Sequence, residues 1–196
     1  MFWDHVKEIQ LKIYYLFMLA DGKCTKSELS KFESICKIME VDAEVESKIA
    51  KFCEDIIYNI GKENSVKLNS EIVKIIDGND DNYSPTFLNR QINDNKQLQV
   101  EIIWTLVSLG YSDFEYTEPE KEIVDFLSNY WKISDIISNE IIDTAETILA
   151  LSKQKEWIKT TNKSYDTIFV RINEIDKKMQ QTAENIEILI SEEDIA

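Results

Sequence analysis

Four carboxylates carry a spacing that suits chemistry. Asp21 precedes Glu28 by seven positions in "ADGKCTKSE", and Asp113 precedes Glu120 by seven in "SDFEYTEPE". The separations 113 − 21 and 120 − 28 both equal 92 residues. Paired carboxylates suit a hard divalent cation; calcium, magnesium, manganese and zinc are all open, and no cofactor is required. If the two loops pack together, the four side chains form a cluster. Like charges that close favour an intervening cation or solvent.

Half of the pattern has a plainer structural cause. Thr25-Lys-Ser-Glu28 and Thr117-Glu-Pro-Glu120 both have the form S/T-x-x-E. In such a capping box the Thr hydroxyl accepts from the amide three residues on, and the Glu reaches back to the Thr amide. Pro119 falls in the first helical turn, where its missing donor costs little. The two aspartates, four residues ahead of each cap, also suit turn closure through their own side chains.

Other chemistry is poorly supplied. His5 is the one histidine of the chain, which excludes a His-rich zinc site. Cys24, Cys36 and Cys53 lack C-x-x-C spacing and lie among apolar helical positions, as reduced core residues of a cytosolic protein do. No Gly-rich phosphate loop occurs. "DGNDDNYSPTFL" (77–88) begins like a calcium loop, yet Asn82 replaces the Gly at its sixth position and Leu88 the Glu at its twelfth. No catalytic residues are assigned, and the expectation is a protein that is not an enzyme.

The elements that must position the four carboxylates are helices. Phe2, Val6, Ile9, Ile13, Leu16, Phe17 and Ala20 recur at three-to-four spacing, and "TKSELSKFESICKIM" (25–39) repeats the period. Asp42 suits an N-cap and Gly61 a C′ residue for the next helix. A shorter helix is expected near 66–76, and Ser84-Pro85 as the start of another. Apolar stripes then predict helices over 98–110, 118–131 and 135–151. No stretch alternates with period two, so the fold class is all-α. At the 92-residue offset Phe32 falls on Val124, Ile35 on Leu127, Asp42 on Ser134 and Ile49 on Ile141. A helix–loop–helix–helix unit is therefore duplicated within the chain.

"YLFMLADGKCTKSELSKFESICKIMEVD" and its weaker copy "WTLVSLGYSDFEYTEPEKEIVDFLSNYWKIS" resemble the paired signatures of the TerB-like (tellurite-resistance TerB) superfamily. The resemblance covers roughly residues 1–150. The second copy departs from the pattern at Phe114, where the family has Gly. It implies a TerB-like helical bundle and a non-enzymatic module of bacterial stress or phage-defence systems. Metal binding is proposed for that family through its acidic residues, here Asp21, Glu28, Asp113 and Glu120.

The domain is expected over 1–151, followed by a heptad-patterned helix over 152–196. Ile158, Tyr165, Ile172, Met179 and Ile186 recur every seven residues, with Thr161, Ile168, Ile175, Thr182 and Leu189 three residues after each. A straight helix over 152–190 is about 58 Å long. It reads either as an interaction arm, a coiled coil with itself or a protein partner, or as a bent or broken helix packed back onto the globular part. Net charge is 22 − 37 = −15, which disfavours direct binding to nucleic acid or anionic lipid. It also supports an alternative, an acidic inhibitor such as an immunity protein or DNA mimic directed at a basic nuclease or toxin. "MFWDHVKEIQ" lacks a signal-peptide pattern, and "IYYLFMLA" is too short to span a bilayer. The expectation is cytoplasmic.

Overall fold

A computed structural model describes residues 2–61, 65–78, 90–161 and 164–192. Among these residues all regular structure is helical and no strand occurs. None of the described helices is long and apolar enough to cross a membrane. The chain divides into two compact units at Ile133/Ser134. The boundary expected at 151/152 falls instead inside a continuous helix.

The first unit contains α1 (Phe2–Met18), α2 (Lys26–Ile38), α3 (Ala43–Ile60), α4 (Ser65–Asp77), α5 (Arg90–Asn93), α6 (Lys96–Gly110), a 3₁₀ turn (Tyr111–Asp113) and α7 (Glu118–Tyr130). Ser84-Pro85 and most of the calcium-like segment lie outside the described residues. The core forms on α1 and α6, which pack together. Leu11, Ile13, Leu16 and Phe17 of α1 are fully buried, as are Ile102, Ile103, Leu106 and Val107 of α6. Burial of each such side chain contributes about 1.5–3 kcal/mol. α3 and α4 also pack on α1, and α7 packs on α6 and α4.

Helix boundaries repeat at the 92-residue offset found in the sequence. α1 ends at Met18 and α6 at Gly110; α2 spans Lys26–Ile38 and α7 spans Glu118–Tyr130. The ends of α2 and α7 share one geometry. Glu40 and Lys132 adopt left-handed φ of 56° and 55°. The amide of Val41 donates to the Cys36 carbonyl at 2.9 Å, and that of Ile133 to the Ser128 carbonyl at 2.8 Å. These i→i−5 bonds close a Schellman motif that satisfies carbonyls the helix leaves unpaired. A lysine ammonium adds to each end: Lys7 donates to the Met39 carbonyl, and Lys96 to the carbonyls of Trp131 and Lys132. Cations are favoured at helix C-termini.

The second unit begins with α8 (Asp135–Lys159), capped by the Ser134 hydroxyl, and continues with α9 (Tyr165–Glu192). The single helix expected over 152–190 is interrupted. Thr160 and Thr161 turn their hydroxyls back onto the Trp157 and Ile158 carbonyls, at 2.7 and 2.8 Å. Such local bonds compete with helix continuation, and a polar run TTNKS (160–164) supplies no apolar seam to oppose them.

Candidate functional site

Each predicted acidic loop is a closed turn followed by a capping box. In the first, Asp21 Oδ1 accepts from the Lys23 amide at 2.8 Å while Gly22 holds φ at 76°. The Thr25 amide donates to Glu28 Oε2 at 2.7 Å, and the Glu28 amide to Thr25 Oγ1 at 3.2 Å. In the second, Asp113 Oδ1 accepts from the Glu115 amide at 3.0 Å while Phe114 holds φ at 71°. The Thr117 amide and hydroxyl donate to Glu120 Oε2 at 2.6 and 2.7 Å. The turn-closing reading of the aspartates and the capping reading of the glutamates are therefore both present.

Hydrogen bonding does not exhaust what these carboxylates do to one another. Glu28 and Glu120 are each only 4% exposed. Burial pushes the Glu28 carboxyl above its ordinary range; the Thr25 bonds oppose this, and the charges of Asp113 and Asp21 add to it. Burial likewise raises Glu120 to about 7, against the Thr117 bonds, with Glu28 and Asp21 adding to the rise. Each glutamate thus lies in the field of carboxylates from the other loop. The packing of α2 against the 3₁₀ turn brings the loops together. Fields overlap without coordination: among the described residues no three or more His, Cys, Asp or Glu side chains are arranged to hold a metal ion. A cation there would have to draw the side chains out of their capped and turn-closing positions.

The residue that sequence reasoning missed is Tyr116. It falls 92 positions after Cys24, so the repeat itself was the available signal. Its hydroxyl is buried without a hydrogen-bond partner. Burial, followed by the charge of Glu120, raises its phenol well above the ordinary range. Its ring packs on Tyr111 at 4.8 Å between centroids, and the Lys121 ammonium lies 5.8 Å from its centroid. Cys24, half-buried, is pushed up to about 11 by burial and then by Glu28, Asp21 and Glu54. At that value the thiol stays protonated at neutral pH and is a poor nucleophile.

A second polar group escaped the sequence altogether. Asp77 Oδ1 accepts from Asn93 at 3.0 Å and from the Tyr130 hydroxyl at 2.8 Å, and Trp131 Nε1 donates to Asn93 Oδ1 at 3.2 Å. Burial and the neighbouring Asp77 raise Tyr130 to about 12. A cleft of about 520 Å³ borders this network, lined by Asn93, Asp94, Lys96, Gln99, Tyr130, Trp131 and Lys132. Its polar groups largely satisfy one another, as the network and the Lys96 bonds show.

The predicted arm residues have a different outcome. Ile158, Ile175 and Ile186 are buried, while Ile168, Ile172, Met179 and Leu189 are half-buried. Tyr165, the first seam position of α9, is 78% exposed. α9 packs along α8. Ser152 meets Met179 and Lys155 pairs with Asp176, so three steps forward on α8 are three steps back on α9. The hairpin is antiparallel, and its seam is used inside the chain. The chain matches no family model, no curated protein and no solved structure.

Proposed function

We propose that this chain is a non-enzymatic, TerB-like interaction protein of bacterial stress or phage defence, working in the cytoplasm by binding protein partners. The observation that supports it most is the repeated acidic turn and capping box of α2 and α7, which sits on the residues that carry the family resemblance. Two buried glutamates in one another's field raise the energy of the fully ionised state. A divalent cation that drew Asp21, Glu28, Asp113 and Glu120 together would relieve that cost and reshape the surface between the two loops.

Calorimetric titration with calcium, magnesium, manganese and zinc tests the cation. The control is Asp21→Asn/Asp113→Asn, because an Asn side-chain oxygen can still close the turn while the charge is gone. Heat in the parent that disappears in the variant is expected; identical titrations would leave the aspartates as turn formers alone. The charge of −15 favours a second reading, an acidic inhibitor of a basic nuclease or toxin. That reading requires a salt-sensitive complex with such a protein encoded nearby.

A further inference from the structure

We propose that the connecting end of the α8–α9 hairpin docks on the acidic face of α7 in a second copy of this chain. The inference rests on the interaction-protein reading above and gives that reading a surface and a partner.

The hairpin end exposes large apolar side chains although its seam is internally packed. Trp157 is 62% exposed, Phe169 52% and Val170 55%. Tyr165 and Phe169 stack at 6.2 Å with their planes 19° apart. All four residues lie within two turns of the connection between Lys159 and Tyr165. Exposed aromatic groups set among cations match the composition of binding hot spots, which favour Trp, Tyr and Arg.

Charge selects the occupant. Between 153 and 171 stand Lys153, Lys155, Lys159, Lys163 and Arg171 against Glu156 and Asp166, a net of 5 − 2 = +3. The rest of the chain then carries −15 − 3 = −18. Two hairpin ends repel each other, so the complement is an acidic surface. α7 and the residues before it offer one. Glu115, Glu118, Glu122 and Asp125 are all exposed. Glu118, Glu122 and Asp125, spaced by four and three, share one stripe of α7 together with Lys121, which pairs with Glu118 at 3.6 Å, and Glu115 lies in the segment just before the helix. Phe114, 47% exposed, adds an apolar contact at its start. Each copy carries both surfaces, so the same contact can be made twice between two copies.

Sedimentation velocity and light scattering on the full chain test this, at about 50 mM and about 500 mM salt. A dimer is expected at low salt and a dissociation constant at least about tenfold weaker at high salt. Trp157→Ala/Phe169→Ala should weaken the dimer by about tenfold or more, with helical circular dichroism and melting unchanged because both side chains are exposed. Lys153→Glu/Arg171→Glu should abolish it, as should Glu118→Lys/Glu122→Lys, and mixing those two variants should restore association. A monomer at every concentration overturns the proposal. So does a dimer that mixing fails to restore, or a monomer that instead sediments with phosphatidylglycerol vesicles. Cation calorimetry is independent of these outcomes, so failure here and failure of the acidic-loop reading are separately visible.

Discussion

The two acidic loops reach one backbone with different side chains. Gly22 and Phe114 occupy equivalent positions and hold φ at 76° and 71°. An L-residue there costs about 1–2 kcal/mol, so the second loop is held left-handed by its hydrogen bonds rather than by glycine. Size is exchanged around the loops as well. Cys24 and Met18 of the first half correspond to Tyr116 and Gly110 of the second. A Cβ on Gly110 would meet Tyr116 Cδ2 at 2.6 Å and Phe17 Cζ at 3.3 Å. The first half has a large residue where the second has Gly110 and a small one where the second has Tyr116. The conserved object between the halves is the turn and cap geometry; the packing around it has been free to redistribute volume.

The sharpest way to break that comparison is Gly110→Ala, expected to destabilise by about 1–3 kcal/mol through overpacking against Tyr116. Tyr116→Cys introduced alongside it should recover part of the loss, and denaturant melts of the four-variant cycle measure the coupling. Additive effects would show that the two positions do not exchange volume.

Next comes acidity. Glu120 is raised to about 7 in the fold from an ordinary 4.5, so the folded state prefers its neutral form. Its contribution to stability is fully present below about 4.5 and is lost as pH rises through 7. Glu120→Gln keeps a capping partner without the charge. Melting temperature followed from pH 8 to pH 5 should rise for the parent relative to Glu120→Gln, and the variant should be the more stable protein at pH 8. Parallel curves would mean that the carboxylate is relieved by solvent.

Thr25→Ala and Thr117→Ala should each cost about 1 kcal/mol and should lower amide protection at the start of α2 and α7 respectively. The smallest expected effect has the opposite sign. Phe114→Gly relieves the left-handed strain and loosens the unfolded chain, two opposed terms that leave about 0.5–1 kcal/mol of stabilisation. Gly22→Phe should destabilise. A shift in urea midpoint reads both.

Much of the site was legible beforehand because caps and turns are local. Thr25, Glu28, Thr117 and Glu120 interact within four residues of chain, so their types and spacing suffice to specify the bonds. Asp42 and Ser134, 92 residues apart, cap the next helices for the same reason, and Asp42 accepts from Glu44 and Val45 as its type predicts. Tyr116 carried no local signal; its importance comes from the gap left by Gly110 and from the burial of Glu120. The Asp77–Tyr130 bond joins residues 53 apart, and nothing in either neighbourhood announces it.

The amino-acid sequence by itself determined the helices, their duplicated spacing and the capped acidic turns, since hydrogen bonds of short sequence separation and a 3.6-residue apolar period act before any tertiary contact exists. Tertiary structure decided whether the carboxylates of one loop feel those of the other, and where the heptad seam is spent. Both depend on which surfaces meet across long stretches of chain. A seam pattern states that a helix has an apolar stripe, and the turn at Thr160 and Thr161 delivers that stripe to α8.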